Sequence, residues 1–244
     1  MRSAYGRWLE SLTSMANTVF EPRPAAALAV AGSELRYPVH RVYCVGRNYA
    51  AHAREMGQDE REAPFFFSKP ADASTQADTV AYPPATAELH HEVELVVALG
   101  RGGRDIAEQA ALEHVFGYAV GVDLTRRDLQ AEAKRQGRPW DVAKGFDESA
   151  PVSEIVPAAD CGHPGHGRIE LSVDGQLRQQ GDLADMIWPV AAIIAALSRF
   201  FMLQPGDLVF TGTPEGVGPL EPGAVVACSI EGIAAHRFTM GQRP

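Results

Sequence analysis

Two glutamates one residue apart, Glu92 and Glu94, and an aspartate about thirty residues later, Asp123, have the clearest chemical potential in this sequence. The glutamates lie in His90-His91-Glu92-Val93-Glu94-Leu95-Val96-Val97, part of an alternating stretch that predicts a strand over His90–Leu99. Side chains alternate faces along a strand, so Glu92 and Glu94 project together while Val93, Leu95 and Val97 point into a core. Two carboxylates on one face, roughly 7 Å apart at Cα, repel unless a cation lies between them. Asp123 ends a second apolar run, Val115–Val122. Three hard oxygen ligands carried by two rigid strands suit Mg2+ or Mn2+ better than zinc. The plainer alternative is that the glutamates line the solvated face of an edge strand, and periodicity alone leaves both readings open. By parity His90 shares the glutamate face and His91 the other. Either could support the carboxylates or be a structural histidine.

A second constellation is His52 with Glu55, three residues apart in a stretch, Asn48–Met56, that predicts a short helix. At that spacing they are neighbours on one surface. A carboxylate beside a histidine raises its basicity and fixes its tautomer, as a general base acting on water requires. Exposed pairs of this kind are also common. Lys144 is a cation in a loop with glycine and aromatic residues, Trp140–Asp147. Lys134, and Lys69 judged singly, read as ordinary solvated lysines. Thr211–Gly218 follows an apolar strand and could expose backbone N–H groups to an anion, but it lacks the GxxxxGK[ST] pattern of a nucleotide loop.

These groups need elements to hold them. Apolar runs at Ala26–Val30, Arg41–Val45 and Pro64–Phe67, each bounded by Gly or Pro, read as strands. Helical patterns cover Ile106–Leu112, Leu124–Gln136 and Asp182–Leu203, the last with its helix proper beginning at Pro189. Asp174-Gly175 between Ile169–Val173 and Gln176–Arg178 is a hairpin signal. Asp207–Met240 reads as three strands joined by turns. Strands outnumber helices and lie too close for βαβ crossovers, so the expectation is a β-rich α+β fold.

The chain has 244 residues, 45% of them hydrophobic, enough for one sizeable core with or without a small appendage. Lys and Arg total 22 against 31 Asp and Glu, a net charge of −9, which offers no electrostatic case for nucleic acid. No apolar stretch has the ~18 residues of a membrane span, and the N-terminus lacks the apolar region of a secretory signal. Cys44, Cys161 and Cys228 are scattered, with no CxxC pair, which points to a reducing cytoplasm. Residues 1–24 look peripheral, and Met15 is a candidate natural start.

Taken together, the motifs resemble the fumarylacetoacetate hydrolase family from about Val39 to Met240. They are Val45-Gly46-Arg47-Asn48-Tyr49 with His52 and Glu55, Phe65–Pro70, His90–Leu95, Gly117–Thr125, Ala143–Asp147 and Phe210–Gly218. The resemblance implies a mixed β-sandwich roll, a homodimer, and Mg2+ or Mn2+ at Glu92, Glu94 and Asp123. It implies a lid helix bearing His52 and Glu55, a catalytic Lys144, and substrate contacts from Arg47, Tyr49, Lys69, Gln130, Gly212 and Thr213. Residues 1–38 would be a short extension and reduced N-terminal domain, and 39–244 the catalytic domain. Within the family, Phe65–Asp72 and Met186-Ile187-Trp188 are most similar to fumarylpyruvate and acylpyruvate hydrolases of aromatic (gentisate) catabolism. The implied reaction is metal-dependent hydrolysis of a carbon–carbon bond in a 2,4-dioxo acid, with Arg47, Arg126 or Arg127 holding a distal carboxylate. Rivals on the same scaffold are oxaloacetate decarboxylation, general acylpyruvate hydrolysis, and isomerisation or dehydration. A non-catalytic metal or dicarboxylate binder is the rival from another class.

Overall fold

A computed structural model describes residues 19–21, 23–49 and 63–244. Met15, His52, Glu55 and most of the expected Asn48–Met56 helix lie outside these residues. Asn48 and Tyr49, which are described, are not helical.

Two mixed sheets face each other. The first has six strands in the spatial order Val156–Pro157, Val115–Val122, Val93–Leu99, Asp207–Phe210, Arg41–Gly46, Phe65–Lys69. Its Asp207–Phe210 and Arg41–Gly46 strands are parallel and the other pairs antiparallel. The second has five, in the order Gln176–Asp182, Arg168–Val173, Val225–Ile230, Ala234–Met240, Thr79–Val80, with only the last pair parallel. Leu95, Val97, Tyr118 and Val120 from the first sheet pack on Ile169, Leu171, Val226 and Phe238 from the second, forming the core of an α+β sandwich.

The opposite face of the six-stranded sheet is also covered. Val42, Val96, Ala119 and Phe210 pack there against Leu28, Val30 and Tyr37 from the N-terminal hairpin and Val152 and Ile155 from a later loop. Burial on both faces explains the nearly continuous apolar run Val115–Val122. It also explains Gly121, where a Cβ would come within 2.7 Å of Val96 and 2.8 Å of Phe210.

The Glu94 strand is therefore no edge strand. It has neighbours on both sides, and the face carrying Glu94, Val96 and Ala98 is buried. The expected strand also breaks at Glu92 into Leu89–His91 and Val93–Leu99. At the break the Val93 N–H donates to the Gln179 side chain instead of a neighbouring strand, and Glu92 O accepts from Asp123 N. Leu89–His91 then pairs with Thr125–Arg126 and Gly218–Pro219, drawing both segments towards the glutamates.

Other expectations shift at their ends. The pattern at Ile106–Leu112 forms a 3-10 helix over Glu108–His114. The pattern at Leu124–Gln136 opens with a short strand, and the α-helix runs Arg127–Gln136. Asp182–Leu203 contains a 3-10 turn with a capping box, then a helix over Val190–Phe200 with Pro189 at its N-cap. The Asp174-Gly175 turn holds both residues at positive φ (51° and 77°), as a two-residue hairpin loop requires. Among the described residues no helix is long and apolar enough to cross a membrane.

The Arg127–Gln136 helix is fastened at its start by Asp128, which accepts from Thr86 Oγ1 (2.6 Å), Ala87 N (2.8 Å) and Leu129 N (2.9 Å). Burial alone would raise the Asp128 pKa, but these hydrogen bonds outweigh it and hold the carboxyl below its ordinary value. A depressed folded pKa stabilises above the unfolded value and loses that contribution as pH falls through the folded one. Asp128→Ala is accordingly expected to cost about 1–2 kcal/mol near neutrality, allowing for solvent screening. The gap between wild type and variant should close below the ordinary value of 3.8. Urea unfolding at several pH values measures it, and a pH-independent gap would rule out ionisation as its source.

Candidate metal and substrate site

Glu92, Glu94 and Asp123 converge although they come from a strand break, a central strand and a strand end. One ligand oxygen from each lies within 4.8 Å of the others, and all three residues are buried. Burial, then Asp123 and Glu92, push the Glu94 carboxyl well above the usual range. Its Oε2 accepts from Gly212 N at 2.7 Å.

Positive charge is built around the cluster. Lys144 Nζ lies 2.8 Å from Glu92 Oε2 and 2.7 Å from Asp123 Oδ2. Burial alone would lower the lysine pKa, but Asp123 and Glu92 together raise it. Lys69 Nζ lies 2.9 Å from Asp123 Oδ1 and donates to Leu124 O and Lys144 O. Arg127 pairs with Glu92 and donates to Gln130 Oε1 at 2.5 Å. The all-oxygen, buried and mutually repelling carboxylates fit a hard divalent cation.

A cavity lined by Arg47, Glu92, Glu94, Asp123, Gln130, Lys144 and Thr213 surrounds the cluster, bringing most of the expected site residues together. Tyr49, Lys69 and Gly212 stand behind its wall. Tyr49 is 2% exposed, its hydroxyl has no hydrogen-bond partner among the described residues, and burial, then Glu94, raise its pKa. Lys69 steadies Asp123 from the buried side, and Gly212 supplies the N–H already described. Asn48, fully buried, donates to Trp188 O and Thr211 O and accepts from Trp188 N, which fixes the chain just before the segment carrying His52.

A second chamber of about 550 Å3 shares Arg47, Phe67, Lys134, Trp140 and Lys144 with the first. Phe65 and Phe67 pack edge-on against Trp140, with centroids 5.1 and 5.6 Å away. Lys134 is exposed, as a solvated lysine should be, yet its Nζ lies over the Trp140 ring at 5.1 Å. Partial burial of its ammonium end, although the residue as a whole is exposed, then Arg127 and Arg47, lower its pKa to about 8. Arg127, Gln130 and Lys134 occupy one helical stripe (i, i+3, i+7), running from the carboxylates towards this chamber. Of the arginines considered for a distal carboxylate, Arg126 donates to Val142 O and stacks on Phe146, while Arg127 serves Glu92 and Gln130. Arg47 lines both cavities.

Around the histidines the site extends further than sequence motifs show. His90 Nε2 is 2.9 Å from Glu88, and its Nδ1 accepts from Arg127, so it supports the guanidinium that holds Glu92. His91 is fully buried and paired with Gln179. Burial lowers its pKa to about 4. Gln179, 1% exposed, also bonds Thr213 and is absent from any motif above. The one available signal was parity along Gln176–Asp182, and a bulge shifts that parity.

The family description "Fumarylacetoacetate (FAA) hydrolase C-terminal" matches residues 41–240. The chain belongs to this family. Its expected fold agrees with that membership, and Glu92, Glu94 and Asp123 form a group that could hold a metal ion. The solved structure of a fumarylpyruvate hydrolase from Pseudomonas aeruginosa in complex with Mn2+ and pyruvate is 52% identical, with a TM-score of 0.90, covering 93% of this chain and 100% of that one. Among curated relatives, the oxaloacetate tautomerase YcgM of Escherichia coli (strain K12) is 45% identical over 203 residues, 82% of this chain and 93% of the relative. The mitochondrial oxaloacetate decarboxylase of Dictyostelium discoideum is 40% identical over 195 residues, 79% of this chain and 89% of the relative. Members of the family thus perform hydrolysis, tautomerisation and decarboxylation around one architecture, and first-contact residues alone do not choose among them.

Proposed function

We propose that this protein hydrolyses the C3–C4 bond of a 2,4-dioxo acid with a far carboxylate, most simply fumarylpyruvate to fumarate and pyruvate. The observation that carries this reading is the second chamber. Its aromatic wall suits a flat, unsaturated acyl arm, and Arg47 and Lys134 face the charge at the arm's end. A four-carbon acid such as oxaloacetate would leave that space unused.

Bound at Glu92, Glu94 and Asp123, Mg2+ or Mn2+ would supply Lewis-acid polarisation and orient the 2-oxo acid end. His52, oriented by Glu55, takes a proton from water as its oxygen attacks the 4-oxo carbon. Lys144 Nζ, at the junction of the two cavities, and the Thr213 hydroxyl stabilise negative charge developing on substrate oxygens. The C3–C4 electron pair leaves with C3, which receives the proton from His52. Phe65, Phe67 and Trp140 form the apolar wall beside the reacting bond.

Oxaloacetate tautomerisation is the second reading, favoured by the tautomerase relatives. A panel of fumarylpyruvate, acetylpyruvate and oxaloacetate, scored by product with and without Mn2+, separates them. Metal-dependent release of equal fumarate and pyruvate is expected. Interconversion of oxaloacetate tautomers without hydrolysis of either dioxo acid would overturn the proposal.

A further inference from the structure

Resting on the proposed reaction, we infer that Gln179 is a positioning residue that makes Thr213 a hydrogen-bond donor to substrate. Gln179 faces inward because of a β-bulge. On the Arg168–Val173 partner strand Leu171 pairs with Gln179 and Ser172 with Leu177, so Arg178 is the extra residue and its neighbours point to opposite sides. Leu177 remains exposed, while the Gln179 amide enters the space between the glutamate strand and the Thr211–Gly218 loop.

All four hydrogen-bonding sites of this buried amide are used. Oε1 accepts from Val93 N at 3.0 Å and lies 2.8 Å from His91 Nδ1. Nε2 lies 3.0 Å from Pro214 O and 2.8 Å from Thr213 Oγ1. Two of these partners are backbone groups of fixed polarity. The Val93 N–H can face only an acceptor and the Pro214 carbonyl only a donor, so the amide has one permitted orientation.

Polarity then propagates. His91 must carry a proton on Nδ1 and donate to Oε1. The second Gln179 N–H donates to Thr213 Oγ1, so the threonine hydroxyl proton cannot be directed back at Gln179. Among the described residues Thr213 Oγ1 has no other hydrogen-bond partner, and Thr213 lines the carboxylate cavity. Its O–H is left for an anionic oxygen there. Val93 lies between Glu92 and Glu94, so the same amide also fixes Thr213 relative to the carboxylates. Close packing supports the arrangement: a Cβ on Gly216 would lie 2.3 Å from Arg178 O, and one on Gly181 2.8 Å from Pro214 Cβ.

The test compares Thr213→Val, Gln179→Met and the double variant in the Mn2+-loaded protein. Without its partner amide the Thr213 hydroxyl loses the contact that aims its proton into the cavity. Each single variant is expected to lose about ten- to hundredfold in kcat/KM, the worth of one hydrogen bond to a charged oxygen. The double variant should fall no further than Thr213→Val, and Thr213→Ser should retain most activity. Mn2+ affinity by calorimetry should be unchanged in Thr213→Val, and in Gln179→Met should fall less than turnover, since the amide also holds Val93 between two carboxylates. Multiplicative losses, an unaffected Thr213→Val, or Mn2+ affinity falling in step with turnover would overturn the inference. Should the wild type hydrolyse no dioxo acid, the proposed function fails by itself. Titration of pyruvate into the Mn2+-loaded proteins then decides the positioning role, by the same non-additive loss in affinity or its absence.

Discussion

Lys144→Met is expected to destabilise the metal-free protein by about 3–5 kcal/mol, with saturating Mn2+ restoring most of the loss. The ammonium is 2% exposed and lies within 2.8 Å of both Glu92 and Asp123. Removing it leaves two buried carboxylates facing each other without the charge between them. A divalent ion bound by the same oxygens replaces that charge, and any ligand that binds only the folded state adds stability by mass action. The gain on adding Mn2+ should therefore be larger for the variant than for wild type, as urea unfolding with and without the ion would show. Turnover should still fall at least a hundredfold, because in the proposed mechanism the ammonium also donates to substrate, a role the ion does not take over. Equal destabilisation with and without Mn2+ would mean that Lys144 contributes packing rather than charge.

Glu94→Gln should act in the opposite sense on stability. The wild-type carboxyl is held by burial and two acidic neighbours in a setting that disfavours its charge. Glutamine removes that charge, keeps an oxygen for the Gly212 N–H, and is expected to stabilise the metal-free protein by about 1–2 kcal/mol. Mn2+ affinity should fall at least a hundredfold, and turnover with it, beyond the 10–100-fold typical for groups that only support a ligand. His52→Ala provides the contrast: Mn2+ binding intact and hydrolysis reduced by about 10²–10⁴-fold, the range for losing a general base. Calorimetric Mn2+ titration beside steady-state kinetics separates the two effects. Wild-type Mn2+ affinity in Glu94→Gln would remove that residue from the ligand set. Retained hydrolysis in His52→Ala would remove the base.

Much of this site is legible in the sequence because its carboxylates sit on elements with strong local signals. Val115–Val122 reads as a strand and is one, so Asp123 falls where a strand end places it. The Asp174-Gly175 turn is equally readable, since few residue pairs hold two consecutive positive φ angles. Parity put Glu92 and Glu94 together, but their burial is a tertiary property: it depends on a hairpin before residue 39 and a loop near Val152 covering the sheet's other face. The counter-charges are less visible still. Lys69, Arg127 and Lys144 come from three separate elements, and no spacing rule joins them. Gln179 was hidden for another reason. Strict alternation groups it with exposed Leu177, and one bulged residue reverses that assignment. Likewise the break at Glu92 follows from a side chain, Gln179, taking a ladder hydrogen bond from a distant strand.

Arg47 holds a left-handed backbone, with φ of 65°, at the end of the Arg41–Gly46 strand. Glycine adopts that conformation without the Cβ penalty, which for other residues is of order 1–3 kcal/mol. A redesign guided only by thermal tolerance would therefore write glycine at this position and record an improvement. It would also delete the one guanidinium among the described residues that borders both chambers. On the proposed function, position 47 is thus a place where selection for a more durable protein and selection for a more discriminating one pull in opposite directions.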